Sequence, residues 1–121
     1  MIGIGTDLVE LDRFRAALTR TPSLAARLFT DGERAYAALR DDPTERLAVR
    51  FAAKEAVMKA MGVGLGAFAM HDVEVVRDGS GRPSLVLRAA AAELAADRGV
   101  TRWLLTLTHT ERVAQAIAVA L

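Results

Sequence analysis

Residues 47–61 read LAVRFAAKEAVMKAM, and the spacing of the apolar residues in this stretch predicts an α-helix. Its only charged residues are Arg50, Lys54, Glu55 and Lys59. At about 100° per residue, Glu55 and Lys59 share one flank of the helix, whereas Arg50 and Lys54 share the other. A helix that is apolar on its remaining faces is normally buried, so this segment is predicted to form the centre of the fold.

Capping signals bound this helix on both sides. The run Asp42-Pro43-Thr44-Glu45 predicts its start, with the aspartate as N-cap and the proline at the first helical position. Gly62 predicts its end, because glycine readily takes the left-handed conformation that closes a helix. Upstream, Thr30-Asp31-Gly32-Glu33 has the spacing of a capping box and predicts another helix through about Leu39.

Alternating residues predict a strand at the start of the chain. Larger side chains alternate there with Gly3, Gly5 and Asp7. The glycine face therefore leaves room for another backbone or for a ligand to approach closely. Asp7 is the first side chain with charge on that face.

The rest of the chain divides into shorter elements of both kinds. We predict helices over 11–29, interrupted at Thr21-Pro22, and over 89–98, and strands over 72–76, 84–87, 103–108 and 113–121. The turn at 78–83 joins two of these strands into a hairpin. The alternation in 113–121 also fits a helix. Together the elements predict one α+β domain over residues 1–121, in which the terminal strands and the hairpin form an antiparallel sheet against the long buried helix.

Composition excludes several classes of protein. Sixteen basic and fifteen acidic residues give a net charge of +1, which argues against a nucleic-acid binder that works through bulk positive charge. No apolar run approaches the roughly 18 residues of a membrane span, and the N-terminus lacks the basic opening of a signal peptide. The absence of cysteine excludes disulfides, a thiolate nucleophile and a cysteine metal site. We expect a small cytoplasmic globular protein.

Familiar nucleotide and hydrolase motifs are absent. Gly3-Ile4-Gly5 begins like a dinucleotide fingerprint, but Leu8 stands where the third glycine belongs. The GVGLG run at 62–66 lacks the GK[ST] ending of a P-loop, and no serine sits in a GxSxG elbow.

Asp7 and Glu55 are candidate ligands for a hard cation. Mg²⁺ usually takes one or two carboxylates and completes its shell with waters and substrate phosphate oxygens. Lys54 and Lys59 are the only lysines among sixteen basic residues, and a lysine ammonium suits a phosphate as a point charge. With Arg50, these residues would suit a phosphate-bearing ligand held through a metal. From the residues alone, an Asx turn at Asp7 and a surface Glu55–Lys59 pair stay open.

Two other features have a structural and a functional interpretation. His109 ends an apolar strand face, where it is either a hydrogen-bonded structural residue or a donor to a phosphate. The region 11–29 is rich in arginine, which fits either a solvated helix face or a docking surface for an acidic protein.

Three segments together resemble the short holo-acyl-carrier-protein synthases, a family of 4′-phosphopantetheinyl transferases: GIGTDLVELDRF at 3–14, RFAAKEAVMKAMGVGLG at 50–66 and LTLTHT at 105–110. The likeness covers nearly the whole chain in order and length. It implies the family's fold and a Mg²⁺-dependent transfer of 4′-phosphopantetheine from coenzyme A to a serine of an apo acyl carrier protein, with release of adenosine 3′,5′-bisphosphate. It also implies a homotrimer with sites between subunits. A part in lipid metabolism, including fatty-acid biosynthesis, is implied as well. Whether the carrier is of the fatty-acid or the polyketide type stays open.

The resemblance assigns roles residue by residue. It implies that Asp7 and Glu55 bind magnesium and that Lys59 contacts a coenzyme A phosphate, which makes these three the catalytic candidates. Arg50 and Lys54 are assigned to neutralising phosphate charge.

Further residues are assigned to the donor and the carrier. The resemblance implies that His109 and Gly62 lie at the coenzyme A site. It also implies that the helix carrying Arg13 docks the carrier; with it we group the two arginines that complete the basic surface, Arg20 and Arg27.

The chain departs from the family's pattern at two positions. Val49 stands where many relatives have glycine, and its larger side chain is expected to narrow the space for packing around this position. Thr110 stands where some relatives carry an acidic residue after the histidine, so the proton acceptor is expected to be Glu55 or a metal-bound water. Two other functions stay open: a Mg²⁺-dependent phosphohydrolase acting on a nucleotide-like diphosphate, and a non-catalytic module that binds an acidic protein.

Overall fold

The order of helices and strands follows the prediction closely. The computed structural model describes residues 1–121. Its elements are β1 Gly3–Glu10, α1 Leu11–Arg20, α2 Leu24–Leu28, α3 Asp31–Ala37, α4 Thr44–Ala60, β2 Val73–Arg77, β3 Pro83–Leu87, α5 Ala89–Asp97, β4 Trp103–His109 and β5 Val113–Ala120. A 3-10 turn, Met70–Asp72, precedes β2. The last stretch is a strand, so the helical alternative for 113–121 is wrong.

The two ends of the chain meet in one antiparallel sheet. β5 lies in its middle, with β1 on one side and β4 on the other. Ala120 of β5 is opposite both Gly3 of β1 and Trp103 of β4. The predicted hairpin forms, but β2 and β3 make a separate two-stranded sheet and do not join the terminal strands. The α+β class is confirmed, and the inclusion of the hairpin in one sheet is wrong.

The long helix α4 packs on the sheet face that carries the smallest side chains. A Cβ atom on Gly3 would lie 1.9 Å from the carbonyl oxygen of Ala60, and one on Gly5 would lie 1.9 Å from that of Ala56. The backbone predicted to approach the glycine face is therefore that of α4. On β5 the residues that face the helix are fully buried alanines: Ala114, Ala116, Ala118 and Ala120.

The predicted helix signals work locally. The Thr30 hydroxyl accepts a hydrogen bond from the Glu33 amide at 3.2 Å, and the Glu33 carboxylate accepts one from the Thr30 amide at 2.9 Å, so the capping box is confirmed. Asp42 Oδ1 accepts from the Thr44 amide at 3.0 Å, although α4 begins at Thr44, one residue after the proline. Gly62 follows the helix with φ +73°, as its capping role requires.

The buried residues form one core around α4. Twenty-three buried apolar residues belong to a single cluster, and α4 contributes the largest share of them. This agrees with the prediction that a helix apolar on most faces lies at the centre of the fold. None of the helices is long and apolar enough to cross a bilayer.

The contact between Gly5 and α4 predicts a cost for any side chain at this position. The Gly5→Ala variant should be less stable by about 1–3 kcal/mol or more, because its Cβ must push β1 away from the helix backbone. Urea denaturation at one fixed protein concentration measures the loss. Gly79→Ala is the matched control, since a Cβ at Gly79 meets nothing within 4 Å. Equal stability of the two variants would contradict this account of the packing.

Candidate functional site

Asp7 and Lys59 join the sheet to the central helix. Asp7 follows Gly3 and Gly5 on the face of β1 that meets α4. The Lys59 ammonium donates to Asp7 Oδ1 at 3.0 Å and to the backbone oxygen of Thr6 at 2.9 Å. The Asp7 side chain is 19% exposed and that of Lys59 is 53% exposed. The pair therefore lies at the edge of the core, within reach of solvent.

Glu55 lies one helical turn before Lys59, on the same flank of α4. Burial raises the pKa of its carboxyl group, the charge of Asp7 raises it further, and Lys59 lowers it. The carbonyl oxygen of the next residue, Ala56, lies against Gly5, two residues before Asp7 on β1, so both carboxyl groups lie where α4 meets this strand. Lys59 pairs with Asp7 and forms no ion pair with Glu55, so the alternative of an i,i+4 surface pair is wrong. Asp7, Glu55 and Lys59 are called the carboxylate–lysine cluster below.

The donor set of this cluster suits magnesium. Nowhere in the chain do three or more histidine, cysteine, aspartate or glutamate side chains group as they would in a closed metal site. Mg²⁺ does not need a closed site of this kind. It keeps several waters and takes only one or two carboxylates, and substrate phosphates supply other oxygens. Asp7 and Glu55 thus fit a magnesium ion that binds together with a phosphate-bearing ligand.

Lys54 does not belong to the cluster. Its side chain is fully buried, and its ammonium donates to Glu33 Oε1 at 2.7 Å and to the backbone oxygens of Met70 and Val73 at 3.0 and 2.5 Å. Because an ammonium has three donors, none is left for a phosphate. The phosphate-neutralising role predicted for Lys54 is therefore wrong. This lysine ties α4 to α3, to the 3-10 turn and to β2.

Glu33 is the partner that the sequence did not reveal. Its capping-box spacing accounts for the bond to Thr30, but its carboxylate also accepts from Lys54 and, at 2.9 Å, from the Val75 amide. The residue is 1% exposed. Only the folded chain brings Lys54 of α4 and Val75 of β2 to this carboxylate, since both are distant from Glu33 in the sequence.

Arg50 also lies away from the cluster. Its side chain is buried and shares the flank of Lys54, where its guanidinium lies 4.6 Å from the centre of the Tyr36 ring. Its Nη1 donates to the backbone oxygen of Arg46 at 3.1 Å. Burial lowers the pKa of this guanidinium. Within one chain, the predicted grouping of Arg50 with Asp7 and Glu55 is wrong.

His109 lies near the opposite end of α4. Its Nε2 is 3.1 Å from Glu45 Oε1 in the first turn of the helix. Glu45 precedes Glu55 by ten residues, which corresponds to about 15 Å along a helix axis. Within one chain, the histidine and the carboxylate–lysine cluster are therefore separate.

A groove of about 540 Å³ leads from Asp7 along α1. The Phe14 and Phe51 rings, with centroids 5.4 Å apart, both line it, as do the exposed residues Arg13 and Arg20. Neither phenylalanine is among the candidate site residues that the sequence predicted. We call this feature the α1 groove.

The arginines of the first two helices differ in their partners. Arg15 pairs with Asp12 and Asp42, each at 2.9 Å. The three arginines that form no ion pair are all exposed: Arg13, Arg20 and Arg27. Arg13 and Arg20 lie on the α1 groove, whereas Arg27 lies outside its lining, on α2.

Comparison with known proteins gives a consistent result. Residues 3–118 match the family model described as the 4′-phosphopantetheinyl transferase superfamily. The chain is 49% identical over 120 residues to the holo-[acyl-carrier-protein] synthase of Frankia casuarinae, covering 99% of this chain and 97% of the relative. It is 43% identical over 118 residues to that of Moorella thermoacetica, covering 98% and 92%.

Solved structures show the same likeness. The holo-[acyl-carrier-protein] synthase of Neisseria meningitidis has a TM-score of 0.90 and 32% identity, covering 99% of this chain and 98% of that one. The Bacillus anthracis synthase, solved in complex with CoA (3′,5′-ADP), has a TM-score of 0.81 and 33% identity, covering 98% and 95%.

The buried pair of Lys54 and Glu33 predicts a large loss of stability when one partner is neutralised. Glu33→Gln should cost about 3–5 kcal/mol, because it leaves an uncompensated ammonium in the core. Denaturation in urea at fixed protein concentration measures this, with Glu93→Gln on the exposed face of α5 as the control. A loss no larger than that of the control would show that Lys54 is not held as described.

Proposed function

The chain belongs to the holo-acyl-carrier-protein synthases of the 4′-phosphopantetheinyl transferase superfamily. We propose that its own residues carry out a magnesium-dependent transfer. The 4′-phosphopantetheine group passes from coenzyme A to a serine of an apo carrier protein, and adenosine 3′,5′-bisphosphate leaves. The observation that carries this proposal is the carboxylate–lysine cluster at the edge of the core, where Lys59 donates to Asp7 at 3.0 Å and Glu55 lies one helical turn before Lys59.

The cluster supplies charges of both signs, as a diphosphate and its counter-ion need. Asp7 and Glu55 would hold magnesium, which when bound offsets the charge that develops on the diphosphate. Lys59 is the only cation of the cluster, and its side chain is more than half exposed. We assign Lys59 to the phosphates of coenzyme A. Gly62 is exposed just after α4 and lies close to Lys59 in sequence, so we assign it to the same binding site.

Proton transfer is assigned to Glu55. The serine oxygen attacks the β-phosphorus in line, the bond from that phosphorus to the bridging oxygen breaks, and the serine proton must be accepted. Carboxylates are among the side chains that act as general bases, and Glu55 is a carboxylate of the cluster. Thr110, after His109, has no basic group to offer. Glu55 therefore takes the proton directly or through a water.

A homotrimer would bring the two separated parts of the site together. The sheet face opposite α4 exposes large apolar side chains, including Ile4 at 60%, Leu8 at 64% and Leu104 at 52%. An exposed apolar face of this kind is typical of a protein interface. We assign it to contacts between subunits, with His109 of one subunit completing the coenzyme A site at the cluster of its neighbour.

The unpaired arginines are assigned to carrier docking. Arg13 and Arg20 lie on the α1 groove that starts at Asp7, so an acidic carrier bound there would present its serine to the cluster. Arg27, which is exposed on α2 outside the groove lining, is assigned to the same docking role. Arg15 is excluded from this role because Asp12 and Asp42 already neutralise it.

Intact-mass analysis tests the reaction. Wild-type protein incubated with coenzyme A, Mg²⁺ and an apo carrier should add one phosphopantetheine mass to the carrier. The Glu55→Gln variant should lose at least about 100-fold in rate, because it loses both a metal charge and the proposed proton acceptor. Glu93→Gln should behave as wild type.

Two other outcomes of this experiment favour the alternatives. Release of the bisphosphate without any carrier would indicate a phosphohydrolase. Metal-independent carrier binding with no gain of mass would indicate a binding module. Near-normal turnover of Glu55→Gln would overturn the assignment of this residue.

Removal of the unpaired arginines should weaken carrier binding selectively. Arg13→Gln and Arg20→Gln should each raise the KM for the carrier several-fold and reduce its salt dependence, since they remove charges that steer an acidic partner. Steady-state kinetics with the carrier and coenzyme A varied in turn measures both constants. Arg98→Gln, at the exposed end of α5, is the control. A change in the KM for coenzyme A alone would rule out the docking role.

A further inference from the structure

The two lysines of α4 are held in different ways. Lys54 has three acceptors and is fully buried, so it is fixed in place. Lys59 has two acceptors, Asp7 Oδ1 at 3.0 Å and the Thr6 backbone oxygen at 2.9 Å, and 53% of its side chain is exposed. Its flexible four-carbon stem can therefore leave Asp7 without opening the core.

The contact made by Lys59 uses a group that the proposed function needs for something else. Asp7 is one of the two carboxylates proposed to hold magnesium, and Lys59 donates directly to one of its oxygens. An ammonium at this distance neutralises the carboxylate and repels any divalent cation that approaches it. The Asp7 side chain is only 19% exposed, so water screens this repulsion incompletely.

We propose that Lys59 and a divalent cation compete for Asp7, and that a phosphate of coenzyme A relieves the competition by drawing Lys59 away. This inference rests on the proposed function and adds to it an order of events at the same site. The phosphate provides a new partner for the ammonium, and Asp7 becomes free to bind the cation. Donor and metal then bind with positive coupling, and by linkage each raises the affinity for the other by the same factor.

Other charges near Asp7 do not compete in the same way. Arg13 shares the α1 groove with Asp7 but forms no ion pair with it. Glu55 is also acidic and favours a cation at the site. Lys59 is therefore the one positive group in direct contact with the proposed metal ligands.

The test is a measurement of metal affinity without the carrier, so that no turnover occurs. Mn²⁺ is the probe, because carboxylate and water ligands accept it as they do Mg²⁺, and free Mn²⁺ can be counted by its electron paramagnetic resonance signal. The full chain is titrated with Mn²⁺ alone and again with saturating coenzyme A, with a blank for the Mn²⁺ that coenzyme A itself holds. Wild type, Lys59→Met, Arg13→Gln and Asp7→Asn are compared.

The expected result is counterintuitive for the loss of a site residue. Lys59→Met should bind Mn²⁺ alone at least about fivefold more tightly than wild type, a factor at the low end of typical coupling between sites. Coenzyme A should then raise its Mn²⁺ affinity less than it does in wild type. Arg13→Gln removes a nearby charge without a direct contact and should change the Mn²⁺ affinity much less.

Failure of this inference can be distinguished from failure of the proposed function. If wild type binds Mn²⁺ and Asp7→Asn loses it, but Lys59→Met binds it no more tightly than wild type, the competition is refuted and the metal site stands. An equal gain in Lys59→Met and Arg13→Gln also refutes it, since general electrostatics then suffices. If wild type binds no Mn²⁺ even with coenzyme A, or Asp7→Asn binds it normally, the metal assignment and the inference both fall.

Discussion

The close approach of α4 to the terminal sheet is the constraint on which the rest of the structure depends. At Gly3 and Gly5 there is no space for a side chain, because the carbonyl oxygens of the helix occupy it. The buried alanines of β5 continue this flat surface on the middle strand. The first larger polar side chain on the glycine face is Asp7, which therefore emerges in contact with Lys59, on the flank of α4 that also carries Glu55. A packing feature thus determines where the candidate site lies.

The motif in α4 combines two lysines with opposite roles. Lys54 faces the core, where Glu33 and two backbone oxygens satisfy all its donors. This buried pair holds α4 against α3 and β2 on one side while the glycine face holds it on the other. The rotation of the helix is thereby defined, so that Glu55, the next residue, faces the strand that carries Asp7. The lysine that does not touch the site is therefore part of what positions it.

The arrangement of charges separates two groups of candidate site residues within one chain. His109 lies at the start of α4 beside Glu45, and the carboxylate–lysine cluster lies near its end. The apolar sheet face opposite the helix is exposed, with Ile4 and Leu8 among its residues. Both facts support the proposed trimer, in which the histidine of one subunit would meet the cluster of another. In that proposal the α1 groove stays open for the carrier.

Much of the fold could be predicted from the sequence alone, because the signals that define its helices and strands are local. The capping box at Thr30, the glycine at the end of α4 and the alternation of the terminal strands each act within a few residues. The flanks of α4 were also predictable, since helical periodicity separates Glu55 and Lys59 from Arg50 and Lys54. Only the tertiary structure decided what each flank faces: the glycine strand on one side, Glu33 and Tyr36 on the other. Those partners are distant in the chain. The chemistry of a residue depends on whether its partner buries it, as Glu33 does with Lys54, or leaves it exposed to solvent, as Asp7 does with Lys59.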